Sequence, residues 1–136
     1  MTRPVIFLTA EHVLAIHRRM IEEFGGSLGV RDRGLLESAA MMPAARIGSD
    51  YLHKGMAAKG AAYLFHLCKN HAFLDGNKRT ALASAEMFLR LNGLALDATD
   101  EELEQLTVGV ADGTVAKAQV AAFFRRHLRR PGPGGS

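Results

Sequence analysis

A chain of 136 residues has the length of one domain, and 48% hydrophobic with 23% charged residues is the balance of an ordinary globular protein. No apolar run approaches the roughly 20 residues that span a bilayer, and the opening Val5-Ile6-Phe7-Leu8 meets Glu11 and His12 too soon for a signal peptide. The net charge of +3 invites a nucleic-acid reading, but Arg125, Arg126, Arg129 and Arg130 carry the excess at one end. A single cysteine, Cys68, excludes an internal disulfide and makes a reducing cytoplasm the expected compartment.

The periodicity is helical almost throughout. After an extended opening, Thr9 caps a helix with apolar positions Val13, Leu14, Ile16, Met20, Ile21 and Phe24, ended by Gly25-Gly26. Asp32 caps a second helix through Met42, with Pro43 as its stop. The aperiodic stretch 44–55 reads as a loop or short hairpin. A third helix, about 56–69, is apolar on nearly every side and is expected at the centre. A fourth runs from about Asn77 to Leu91 and stops at Asn92-Gly93. Asp100 is the expected cap of a fifth helix, ended by Asp112-Gly113, and Thr114 is expected to open a sixth through Leu128. Val5–Leu8 and Leu94–Leu96 are the strand candidates. The expected fold is all-α: about six helices with room for a minor β-hairpin, as one domain over 1–130 and a flexible tail over 131–136.

The densest polar cluster, His71 to Thr80, falls in the gap between two strongly apolar helices. Gly76 permits a positive φ, and a helix starts directly after it. The free N–H groups of Asn77, Lys78 and Arg79 therefore make an anion site, to which Lys78 and Arg79 add full charges. Asp75 has the wrong sign for phosphate and the right sign for Mg²⁺ bridging phosphate to protein. His71 is suited to act as general base. Base, metal ligand, phosphate cradle and cationic clamp are the parts that phosphoryl or nucleotidyl transfer needs. The plainer alternative is a turn, a cap and a solvated Lys-Arg face. Two cations opposing a helix dipole beside His and Asp weigh against it.

The string His-Ala-Phe-Leu-Asp-Gly-Asn-Lys-Arg-Thr-Ala resembles the active-site motif of the Fic/Doc family, His-x-Phe-x-Asp/Glu-Gly-Asn-x-Arg. Phe24-Gly25-Gly26, Gly29-Val30-Arg31-Asp32, Gly34 to Ala39, and Phe88-Leu89-x-Leu91-Asn92-Gly93 are similar to its death-on-curing (Doc) branch. The resemblance implies His71 as base for a target hydroxyl and Asp75 as Mg²⁺ ligand. Gly76 and Asn77 become the anion cradle, Lys78 and Arg79 bind phosphate, and Phe73 is a buried anchor. Two positions separate the branches. Adenylyl-transferring members usually carry Gly where this chain has Lys78 and a second Arg where it has Leu82. The Doc branch shares both changes and uses ATP turned end for end, delivering the γ-phosphate. Its target class is elongation factor Tu, modification of which halts translation. Its inhibitor is a separate antitoxin whose C-terminal segment folds onto the toxin, and this chain has no Ser/Thr-x-x-x-Glu-Gly/Asn self-inhibitory string. Ala72, where many members have Pro, implies a slightly looser loop.

Other residues carry plainer expectations. His66 has no zinc-binding pattern around it, and its helix turns it away from the motif loop. Cys68 and the Met and Phe residues read as packing. His12, His17 and His53 have no motif support, although His53 with Tyr51 and Lys54 could belong to a flap over the target. Arg31 and Glu37 read as structural partners outside the site. The alternatives to a γ-phosphate transferase are an adenylyltransferase and a non-catalytic nucleic-acid or regulatory module using the Arg-rich last helix. The latter lacks a recognition motif, so nucleic acid is not an expected partner.

Overall fold

The computed structural model describes residues 3–131. Six helices follow in chain order: α1 (Ala10–Phe24), α2 (Arg33–Met41), α3 (Met56–Asn70), α4 (Asn77–Leu91), α5 (Asp100–Asp112) and α6 (Lys117–His127). Two-residue strands β1 (Arg46–Ile47) and β2 (Asp50–Tyr51) pair antiparallel, as do β3 (Ala95–Leu96) and β4 (Leu128–Arg129). The expected all-α bundle with minor hairpins is the observed architecture. The expected tail lies outside the described residues except for Pro131.

Local chemistry sets most boundaries. Thr9 and His12 form a reciprocal cap on α1, the Thr9 hydroxyl taking the His12 N–H and His12 Nδ1 taking the Thr9 N–H. Asp32 accepts the Leu35 N–H at 3.0 Å and starts α2. Three expectations need correction. Thr99, not Asp100, caps α5, because only Thr99 has Glu102 three residues on to complete the reciprocal pair. Thr114 does not open α6. Its hydroxyl is committed to Asp112 Oδ1 at 2.6 Å in the turn, and α6 begins at Lys117 and ends before Leu128. Val5–Leu8 is not a strand. Side chains satisfy its backbone instead: Asn92 bonds both the N–H and the carbonyl of Ile6 at 2.9 Å. The Tyr63 hydroxyl does the same for Leu8, accepting at 2.6 Å and donating at 3.1 Å.

The core is built around α3, which packs chiefly on α4 and α6 and touches α2 and α5. Tyr63, Leu64, Leu67 and Cys68 of α3 are buried with Phe88 and Leu89 of α4 and Phe124 of α6. Gly60 lets these helices close up, since a Cβ there would stand 3.3 Å from Leu89 and 3.4 Å from Phe124. Burying α3 and α4 in one core fixes both ends of the six residues between them. Those six residues and the first turn of α4 carry the polar motif.

Candidate active site

The segment 71–76 leaves α3 at His71 and enters α4 after Gly76. It is stitched to the connection between α1 and α2. Ala72 O accepts the N–H groups of Arg31 at 2.7 Å and Asp32 at 3.1 Å, Leu74 N–H donates to Gly29 O, and Val30 bridges Phe73 antiparallel. These bonds tie the loop down at Ala72. Phe73 is buried as anticipated, stacked 3.8 Å from the His17 ring at 5°. Its own N–H and carbonyl are both bonded by the Asn77 side-chain amide at 3.0 Å. The Asn77 side chain thus closes the loop, leaving its backbone N–H for an anion.

The same web places Asp75. His17 donates from Nε2 to Asp75 O at 2.8 Å, which fixes the ring's tautomer, because a carbonyl only accepts. The Asp75 carboxylate takes one backbone N–H on each oxygen, from Gly76 at 2.9 Å and from Ser27 at 3.1 Å. It is exposed, with further lone pairs free on both oxygens. Gly76 has φ 75°, and the N–H groups of Asn77, Lys78 and Arg79 have no partner among the described residues. Thr80 is the first residue of α4 to donate, to Gly76 O. Lys78 and Arg79 are exposed and make no ion pair among the described residues. The Arg79 guanidinium lies 4.4 Å over the Phe24 ring, which holds it beside the helix end. His71 is exposed and lies in the left-handed region at φ 49° and ψ 49°, a conformation costing about 1 kcal/mol or more for a residue with a side chain. Chemically, the surface offers a positive helix end, two unpaired cations, one oriented carboxylate and one imidazole within nine consecutive residues.

A family model described as the Fic/DOC family matches residues 7–89. The chain belongs to this family. "Protein kinase doc" of Escherichia phage P1 is 36% identical over 119 residues, covering 88% of this chain and 93% of that protein. "Toxin Doc" of Mycolicibacterium smegmatis is 38% identical over 106 residues, covering 74% and 82%. For a Fic/Doc protein, the residues that sequence reasoning passed over are those supporting the loop from outside. His17 sits on the buried face of α1 with Val13 and Ile21, so a polar residue in an apolar stripe was its one signal. Phe24 and Gly26 read as the end of a helix and belong to a resembling string, whereas nothing in the sequence singles out Ser27. Among the described residues no helix is long and apolar enough to cross a membrane.

His66 faces away from the Fic/Doc loop, toward Lys117. The Lys117 ammonium lies 3.2 Å from His66 Nε2 and 2.9 Å from His53 Nε2, and an ammonium only donates, so both rings accept as neutral imidazoles. His53 is buried there, outside the β1–β2 hairpin. Burial first, then the Lys117 charge, push His66 down to about 4, and the same two causes lower His53. An unfolded chain protonates His66 near pH 6.5, whereas the folded chain resists until about 4. The unfolded state then binds more protons, so stability falls as pH drops through this window, by about 2 kcal/mol after allowance for partial exposure. Thermal melts from pH 7.5 to 4.5 should show a smaller acid loss for His66→Gln than for the wild type. Equal losses would remove His66 from the account.

Proposed function

We propose that this chain is a Doc-type toxin that transfers the γ-phosphate of ATP to a hydroxyl of a translation factor of the elongation factor Tu class, blocking translation. The observation that carries the reading is the open N-terminus of α4, with Lys78 and Arg79 free of carboxylate partners among the described residues and beside the oriented Asp75. Cations at a positive helix end are unfavourable until an anion arrives, and a polyphosphate relieves both. The kinase name of the phage P1 relative, and Lys78 and Leu82 in place of Gly and Arg, favour phosphoryl over adenylyl transfer.

In this mechanism the Asn77–Arg79 amides, Lys78 and Arg79 bind phosphate oxygens and hold the γ-phosphorus at the loop. His71 accepts the proton of the target hydroxyl. The hydroxyl oxygen forms its bond to the γ-phosphorus as the bond to the β,γ-bridging oxygen breaks, and ADP leaves with that electron pair. Arg79 balances charge on the phosphoryl oxygens. Asp75 fits Mg²⁺: a single exposed carboxylate, aimed by two amides, suits a cation that keeps several waters and shares phosphate oxygens. Bound there, Mg²⁺ would neutralise phosphate charge.

The chain would be restrained by a cognate antitoxin, as the toxin name of the mycobacterial relative suggests. A groove of about 530 Å³ lies between α1 and the α1–α2 connection, lined by Leu14, Ala15, Leu28 and Val30 with Glu11 and Arg18. It would accept the antitoxin's C-terminal segment next to His17 and hence to the loop. The deciding experiment offers ATP labelled at the α- or the γ-phosphate, with purified elongation factor Tu. Label should transfer from the γ position alone. Transfer of α-label would make the protein an adenylyltransferase, and transfer of neither by folded protein would leave a binding module.

A further inference from the structure

His71 occupies a backbone conformation that helix ends normally assign to glycine. It is the one residue other than glycine with positive φ among the described residues. A glycine has no imidazole, so the site must hold a histidine where its Cβ is disfavoured. Such a conformation persists when its surroundings over-determine it. The usual support is a pair of backbone N–H groups past the cap, reaching back to the last carbonyls. The α5 terminus has it, with Gly113 and Thr114 donating to Val110 and Gly109. The α3 terminus has no such backbone closure among the described residues.

Arg31 supplies the missing donors from across the molecule. Its Nε donates to His71 O at 2.8 Å and its Nη2 to Asn70 O at 3.3 Å, so one planar guanidinium spans two successive carbonyls at the negative end of α3. The Arg31 backbone N–H donates to Ala72 O at 2.7 Å, the next carbonyl along. Three consecutive carbonyls, 70, 71 and 72, thus answer to one residue. Asn70 is held from the same side, its Nδ2 donating to Leu35 O at 3.0 Å. No carboxylate pairs with the Arg31 guanidinium among the described residues, so its hydrogen bonds go to this helix end.

We infer that Arg31 is a positioning residue, holding His71 in its left-handed conformation so that the imidazole is presented to the acceptor hydroxyl. The inference rests on the reading of His71 as the base. It predicts a defect in turnover rather than in nucleotide binding, since Arg31 touches backbone and neither Asp75 nor the α4 terminus. A lysine can donate to one of the carbonyls but cannot span two in a plane.

The test compares the wild type with Arg31→Gln and Arg31→Lys in γ-phosphate transfer, and follows amide exchange along the chain. Arg31→Gln should lower kcat by about 30- to 100-fold while KM for ATP stays within about threefold. Arg31→Lys should recover part of the loss, and guanidinium ion added to Arg31→Gln should raise its rate. Amides of Ala72 to Leu74 should exchange at least tenfold faster, with those inside α3 and α4 unchanged. An unchanged kcat, or a loss matched by faster exchange throughout the protein, would overturn the positioning role. If no variant or wild type transfers phosphate, the kinase reading has failed, and the exchange pattern alone decides whether Arg31 holds this backbone. Unaltered exchange at 72–74 would then end the proposal.

Discussion

Replacing His71 by alanine should reduce phosphate transfer by about 10³-fold while the protein stays folded. The magnitude follows from the role. A positioned general base contributes on the order of 10²–10⁴ in rate, and no second imidazole takes its place, because His17 is buried and bonded to Asp75 O and His66 is turned to Lys117. ATP binding, which the proposed function assigns to the α4 terminus, Lys78 and Arg79, should change little. The backbone gives the experiment an internal control. Alanine inherits the left-handed conformation of His71 without relieving it, whereas glycine adopts it freely. His71→Gly should therefore be as inactive as His71→Ala yet more stable by about 1 kcal/mol, read from urea midpoints. Equal stability would mean that position 71 stores no strain. Retained transfer in either variant would assign the proton to another group.

Much of this site is legible because its working groups lie in nine consecutive residues, from the end of one apolar helix into the first turn of the next. Gly76 before a helix start, two cations after it and Asp75 ahead of it define an anion site by local rules alone. The fold was legible for a related reason: caps such as Thr9 and Asp32 act over three residues, within sight of any sequence window. Where sequence and structure differ, two local rules compete. Thr99 and Asp100 are both good caps, and only the Glu102 side chain, reaching the Thr99 N–H at 2.9 Å, decides between them. At the start of α6 the expected cap, Thr114, was consumed by Asp112, and Ala116 has no acceptor side chain to announce itself. The supporting residues were hidden for a different reason. Arg31, Ser27 and His17 meet the motif across 40, 48 and 58 positions of sequence, and no periodicity encodes such a meeting. What the sequence displays is the chemistry, and what it conceals is the backbone that aims it.

That division makes Gly26 a position outside the motif where a single methyl group reaches the oriented carboxylate. Gly26 has φ 115°, and a Cβ there would stand 2.6 Å from Asp75 Oδ2 and 3.1 Å from Ile21 Cδ1. Alanine cannot be accommodated by a small shift, since the nearer atom belongs to the carboxylate oxygen that the Ser27 N–H orients. Either the 25–27 turn moves away and Ser27 releases the carboxylate, or Asp75 rotates and loses its aim. In the proposed mechanism, both outcomes act on Mg²⁺ at Asp75 before they act on His71 as base. Gly26→Ala should thus raise the Mg²⁺ concentration for half-maximal transfer by at least about tenfold and lower the rate at ordinary Mg²⁺ by about 10². Part of that rate should return at high Mg²⁺. Gly25→Ala separates this from simple backbone strain. Gly25 also has positive φ, at 83°, but a Cβ there meets nothing within 4 Å. It should lose about 1 kcal/mol of stability and keep its Mg²⁺ dependence. If the two variants lose activity alike, with unchanged Mg²⁺ midpoints, then the turn matters only for its shape. A selective shift in Gly26→Ala would instead mean that the space left by one missing methyl group is what lets Ser27 and Asp75 meet.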